Sequence, residues 1–186
     1  MPRLFLGLAL PPALERELEG FIGGVPGARW QRGPLLHLTL HFIGELDGGA
    51  TRRLIDALDD DLRAPSFELQ LRGAGSFPPR GDPRVLWMGV ADSPALTLLH
   101  RRSAAILDAQ GVPRERRSYH PHVTVARLQR SPPRAVAEWI ARHALYASAP
   151  FRVDCMTLYT SVLSQRGAKY QVSAEFMLDE PDQPDP

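Results

Sequence analysis

The chain has 186 residues, of which 44% are hydrophobic and 23% charged, with a formal net charge of +1. That length predicts one domain, or two small lobes sharing one body, and the balance excludes both a disordered chain and a basic protein that coats nucleic acid through charge alone. A single cysteine, Cys155, leaves no internal disulfide, which fits a reducing cytoplasm, and no apolar run approaches the ~20 residues of a membrane span.

In chain order, residues 3–10 are Arg3 and a mostly apolar run that mimics a short leader. Pro11, Pro12 and the charges Glu15, Arg16 and Glu17 break that pattern, so a buried first strand is expected. Residues 12–22 set Leu14, Leu18, Phe21 and Ile22 on one helical face. A strand is predicted over 35–43 and a helix over 50–62, with Leu54, Leu58 and Leu62 in one stripe. Phe67, Leu69 and Leu71 alternate with polar residues as a half-buried strand. Turn chemistry interrupts at 76–83. The order then repeats, with a strand over 84–91, a helix over 94–109, a strand over 122–128 and a helix capped by Ser131 ahead of Pro132 and Pro133. Strands over 151–161 and 168–178, joined by a turn around Gly167, complete a single two-lobed body spanning 1–178. Residues 179–186 are acidic and proline-rich and are expected to form a frayed tail.

Two segments match each other: His37-Leu38-Thr39-Leu40 and His122-Val123-Thr124-Val125. Their separation is close to half the chain, which argues for an internal duplication. In a strand, residues i and i+2 share a face, so His37 projects with Thr39 and His122 with Thr124, while the apolar neighbours enter the core. Composition alone yields the doubled, apolar-flanked motif roughly once in a thousand such chains. Imidazole titrates near neutrality, so two facing histidines can remove one proton and donate another, and the threonine hydroxyls can hold phosphate oxygens. Of the 22 basic residues only Lys169 is not arginine; compositional bias accounts for this, yet arginine also suits forked contacts with phosphate. His41, four after His37, is expected on the same strand face, and His100 and His143 are expected to be solvated on helices. Phe42, Trp30, Tyr119 and Tyr159 flank the motifs and are candidates for stacking on bases, or for core.

With these pieces the chain resembles the two-histidine phosphoesterase superfamily, and within it the RNA 2′,3′-cyclic phosphodiesterases once called 2′-5′ RNA ligases. Matching pieces include Arg3-Leu4-Phe5, residues 36–40 followed by Phe42-Ile43-Gly44-Glu45, Val85-Leu86-Trp87, residues 121–127, Leu158-Tyr159-Thr160-Ser161, and Gly167 with Tyr170. The resemblance implies an α+β fold of two pseudo-symmetric lobes, each an antiparallel sheet with outer helices, around a central cleft. By its motifs His37 and His122 are the catalytic pair, Thr39, Thr124 and Arg127 bind phosphate, and His41, Phe42 and Tyr159 are further candidate substrate contacts. Arg127 is odd-spaced from His122 and needs a twist or bulge to reach the cleft. His41 stands where the family often has arginine.

The implied activity is hydrolysis of an RNA 2′,3′-cyclic phosphate end to a 2′-phosphate without metal or cofactor, with His37 as acid and His122 as base. A 5′-hydroxyl in place of water would give 2′-5′ ligation. Other readings are a related phosphodiesterase acting on a nucleotide cyclic phosphate or another diester, a metal hydrolase using His37, His41, His120 and His122, and a non-catalytic RNA-end module. The expected partner is RNA with a cyclic phosphate end; no membrane or obligate protein partner is expected, and a monomer is the default.

Overall fold

The computed structural model describes residues 3–79, 81–113, 118–164 and 167–180. The chain begins with β1 (Arg3–Ala9), whose Leu4, Leu6 and Leu8 enter the core, and α1 (Pro12–Glu19), which adds Leu14 and Leu18. A short strand β2 (Ala28–Trp30) and a 3₁₀ turn (Gly33–Leu35) lead into β3 (His37–Glu45). The helix α2 (Gly48–Asp61) starts where the Asp47 carboxylate accepts from the Ala50 N–H at 2.8 Å, which satisfies a donor that the first helical turn otherwise leaves open. It is followed by β4 (Phe67–Leu69), β5 (Leu71–Phe77), β6 (Val85–Val90) and α3 (Pro94–Ala109), the last capped by Ser93, whose hydroxyl accepts from Leu96 N–H. The chain closes with β7 (His122–Leu128), α4 (Pro133–His143), β8 (Phe151–Val153), β9 (Cys155–Ser164) and β10 (Gly167–Met177).

Eight strands form one antiparallel sheet in the order β10-β9-β1-β3-β7-β6-β5, with β2 beside β7; β4 and β8 pair separately. The sheet is two wings meeting at a narrow seam. The motif strands β3 and β7 are neighbours there, yet Leu38 and Val123 are their one registered pair. Beyond it β3 diverges, and β2 pairs with Ala126, Arg127 and Leu128 instead. One buried cluster takes Leu38 and Val123 together with apolar residues from all four helices, such as Leu14, Leu54, Leu99 and Trp139. The two lobes expected from the duplication are thus these two wings, covered by helices on the face away from His37 and His122.

Several predicted boundaries differ. The alternation through Phe67, Leu69 and Leu71 is not one strand: β4 pairs with β8, while Leu71 begins β5 in the main sheet. β5 runs through Gly73 and Gly75 to Phe77, into the start of the 76–83 stretch whose turn chemistry was expected to interrupt the chain. A side chain at Gly75 would lie 2.3 Å from the Trp87 ring, so the glycine makes room for an indole lying across the strand. Ser131 does not cap α4; Pro132 precedes its first residue, without a side-chain cap. Asp179, placed by sequence in the tail, instead donates to the Ala64 carbonyl and accepts from Ser66 N–H. Residues 181–186, and Gln165 and Arg166 of the predicted turn before Gly167, lie outside the described residues. Among the described residues no helix is long and apolar enough to cross a membrane.

Candidate active site

Both motif strands carry the same irregularity. From the histidine onward, β3 and β7 run through seven positions of identical burial: partly buried, buried, partly buried, buried, buried, exposed, buried. Strict alternation fails at the fourth and fifth positions, and each strand shifts register against its neighbour there, β3 against β1 at Leu40 and β7 against β6 at Val125. Each is a bulge, which adds a residue and reverses the facing of everything beyond it. Arg127 is thereby returned to the face of His122 and Thr124, and Phe42 to that of His37 and Thr39. The same bulge corrects the expected facing of His41. That residue is 4% exposed, and its Nε2 lies 3.0 Å from Ser103 Oγ and 3.1 Å from the His100 carbonyl.

The two imidazoles are held alike. His37 Nδ1–H donates to the Leu35 carbonyl at 2.9 Å, and His122 Nδ1–H donates to the His120 carbonyl at 2.7 Å. A carbonyl only accepts, so both tethers place the proton on Nδ1 and leave Nε2 with a lone pair. The Thr39 hydroxyl lies 3.1 Å from His37 Nε2, where it donates to that lone pair. Antiparallel register about Leu38 and Val123 directs His37 toward Thr124 and His122 toward Thr39.

Burial dominates the electrostatics. It depresses the pKa of His37 from the ordinary 6.5 to about 4, against a raising effect from the Leu35 hydrogen bond and with further lowering by the charges of Arg127 and His122. His122 is also depressed, first by burial and then by His120, with the His120 carbonyl acting the other way. In the free protein His37 is therefore a ready base at neutral pH. The acid role expected for it from the sequence requires a bound anion to raise its pKa again.

Aromatic rings supply that burial, and sequence reading missed most of them. Phe5 and Tyr170 sit 4.9 and 5.0 Å from the His37 ring, and Tyr159 6.0 Å away. Phe77 and Trp87 lie 5.0 and 6.3 Å from His122. The cross-strand register was the missing signal: Phe5 stands opposite Phe42, Trp87 opposite Thr124 and Phe77 opposite Val85, all on the cleft side. Tyr159 is buried and stacked on Phe5 rather than open to a base. Trp30 packs on Trp139, and Tyr119 stacks on His100 at 3.9 Å while its hydroxyl reaches the Thr39 carbonyl. Phe42, 54% exposed, is the open ring among the candidates. His100 and His143 are not simply solvated: His100 also stacks on His41, and His143 is buried with its Nδ1–H on the Trp139 carbonyl. A pocket of about 660 Å³ opens from Thr39 and His122, walled by Phe42, Phe77, Pro78 and Tyr119, with His41 at its base and Arg84 in its wall. Among the described residues no three His, Cys, Asp or Glu side chains gather as metal ligands.

A two-winged α+β body presenting paired His-x-Thr strands across one seam defines the two-histidine phosphoesterase class. The model of the 2′-5′ RNA ligase superfamily matches residues 13–164, and the chain belongs to that superfamily. It is similar to the RNA 2′,3′-cyclic phosphodiesterase of Methanothermobacter thermautotrophicus, 34% identical over 145 residues that cover 77% of this chain and 78% of the relative. The Archaeoglobus fulgidus protein of the same name is 28% identical over 172 residues, covering 91% and 96%. Among solved structures, Escherichia coli LigT complexed with 3′-AMP superposes with a TM-score of 0.77 at 23% identity, over 97% of this chain and 100% of LigT, a likeness of fold.

Proposed function

We propose that this protein hydrolyses 2′,3′-cyclic phosphate ends of RNA to 2′-phosphates, without metal, by general acid and base catalysis from His37 and His122. The observation that carries the reading is the matched tethering of two imidazoles, each with Nδ1–H on a backbone carbonyl, on the cleft side of one seam. One neutral Nε2 takes a proton from water as its oxygen attacks phosphorus. The other imidazole, protonated, donates to the 3′ oxygen as the P–O3′ bond breaks, leaving a 2′-phosphate and a 3′-hydroxyl. Proton exchange with solvent then resets the pair. Thr39, Thr124 and Arg127 hold the non-bridging oxygens; Thr39 turns its hydroxyl from His37 to do so. The anion they bind raises the histidine pKa values that burial has lowered. A 5′-hydroxyl replacing water would form a 2′-5′ linkage by the same steps.

The test is hydrolysis of a short RNA ending in a 2′,3′-cyclic phosphate, with chelator present. Wild type should produce the 2′-phosphate, and His37→Ala and His122→Ala should each lose roughly 10²–10⁴ in rate. Activity abolished by chelation would return the metal-hydrolase reading. Absence of turnover by wild type would reject this substrate.

A further inference from the structure

The two His-x-Thr strands meet at one registered pair, Leu38 with Val123, so the ladder alone holds their spacing weakly. Rings from three elements supplement it. His41 of β3 is buried, and its ring stacks on His100 of α3 at 4.3 Å and 25°. The His100 carbonyl, 3.1 Å from His41 Nε2, only accepts, so the proton sits on that nitrogen. Ser103 Oγ lies 3.0 Å from the same Nε2, and its hydroxyl donates to the Leu99 carbonyl at 2.8 Å. Tyr119 stacks on the same His100, at 3.9 Å and 11°. Its hydroxyl donates back to the Thr39 carbonyl at 3.3 Å. That is long for an O–H···O bond and weak by itself, but a ring held face-on has little freedom to swing its hydroxyl away. Both ends of the stack thus return to β3, on either side of the bulge at Leu40. Tyr119 also belongs to the lead-in to β7, in which the neighbouring His120 carbonyl holds His122 Nδ1–H at 2.7 Å.

We propose that Tyr119 is a positioning residue: stacked on His100 and bonded to Thr39, it fixes the span between the two His-x-Thr motifs. This rests on the proposed function and adds to it a part that neither motif contains. Tyr119 grips the strand that carries His37 and Thr39 while its own backbone carries the tether of His122, so the two motifs are joined by a path outside the narrow ladder. The span matters because phosphorus is attacked and released between two Nε2 atoms, where a misplacement of about 1 Å costs up to ~10²-fold in rate. The hydroxyl suits holding rather than proton transfer, since burial raises its pKa and keeps it a donor wherever the histidines titrate.

The experiment compares Tyr119→Phe, which keeps the stacked ring and deletes the hydroxyl, with Tyr119→Leu, which deletes both. On a short RNA ending in a 2′,3′-cyclic phosphate, Tyr119→Phe should lower kcat roughly 3–10-fold and Tyr119→Leu about 10²-fold, with KM within ~2-fold of wild type. Tyr119 also lines the pocket beside His122, and loss of a substrate contact there would instead raise KM with kcat unchanged. A second measurement uses the free protein: NMR titration of the His37 ring. His37 has ring contacts with Phe5, Tyr159 and Tyr170, and none with Tyr119 among the described residues. Tyr119 therefore reaches His37 only through the span, and a loosened span admits water to the imidazole. The His37 pKa should rise from about 4 measurably in Tyr119→Phe, and by about half a pH unit or more in Tyr119→Leu. Val153→Ala, buried in the separate β4–β8 pair, should lower the melting temperature while leaving kcat and the His37 titration unchanged. A raised KM with kcat unchanged in Tyr119→Phe, an unmoved His37 titration, or equal effects in Val153→Ala would each overturn the positioning role. Because the titration needs no substrate, it decides that role even if no cyclic phosphate is hydrolysed and the proposed function fails.

Discussion

His37 couples stability to pH, and the size of the coupling follows from its enclosure. Its pKa is depressed to about 4 in the folded protein against 6.5 in the ordinary state. Between those values the unfolded chain binds more protons than the folded one, so stability rises with pH through the window. The contribution is complete above pH 6.5 and is lost as pH falls toward 4. At about 1.4 kcal/mol per pH unit, the full linkage is roughly 3 kcal/mol, most of which falls between pH 7 and pH 4.5. His37→Asn removes the titration while keeping a side-chain N–H near the Leu35 carbonyl. Urea unfolding of both proteins at pH 7, 6, 5 and 4.5 isolates the effect, because the carboxylates common to both cancel. Acidification should cost the wild type about 2 kcal/mol more than His37→Asn, or roughly 4–8 °C in melting temperature. Parallel stability profiles would refute the reasoning, since they would require an imidazole that titrates alike folded and unfolded.

Both imidazoles are depressed, so kcat/KM should follow a bell with its maximum below pH 6.5, falling as pH rises and the proton donor is lost. His37→Ala and His122→Ala should each abolish one limb, and an alkaline maximum in the wild type would contradict the electrostatics. At Gly7, opposite Thr39, an added Cβ would lie 2.9 Å from the Leu38 carbonyl and 3.6 Å from the His37 ring. Gly7→Ala should therefore cost about 1–3 kcal/mol and lower kcat, and denaturation with steady-state kinetics would check both. The β3 bulge predicts opposite outcomes at adjacent residues. His41→Leu should destabilise by about 1–3 kcal/mol through its lost buried hydrogen bonds, whereas Phe42→Ala should stay within about 0.5 kcal/mol of wild type, as thermal melts would show.

Much of the sheet was legible because Leu38, Leu40, Val123 and Val125 mark a period of two beside a polar face, and α3 because Leu96 and Leu99 open an apolar face at helical spacing. What failed was local. Alternation counted through Leu40 assigns His41 to the cleft, and counted through Val125 assigns Arg127 to the core side; the bulges reverse both, and no single residue announces them. β2 and β4 are three residues each, too short for a period to declare itself. The rings around the histidines come from β1, β5, β6, β9 and β10, so their assembly depends on cross-strand register, a property of pairs of segments that a pass along one chain does not contain.

A duplicated motif supplies two equivalent imidazoles, but acid and base catalysis requires them to differ when the reaction occurs. The matched tethers cannot provide that difference; the surrounding rings can. His37 lies among Phe5, Tyr159 and Tyr170, whereas His122 has Phe77 and Trp87 and opens onto the apolar pocket. Different ring surroundings on a shared geometry are thus the means by which the two wings can set the titrations of the pair apart. Tyr170, partly buried and edge-on to His37 at 5.0 Å, is the ring to remove. In Tyr170→Ala, water reaches His37 and its pKa rises toward 6.5. The low-pH limb of the kcat/KM bell should then move up, the two limbs should approach, and the maximum should fall because fewer molecules carry one neutral and one protonated imidazole. A lower maximum with an unmoved low-pH limb would show that Tyr170 acts through substrate contact rather than by desolvating the histidine.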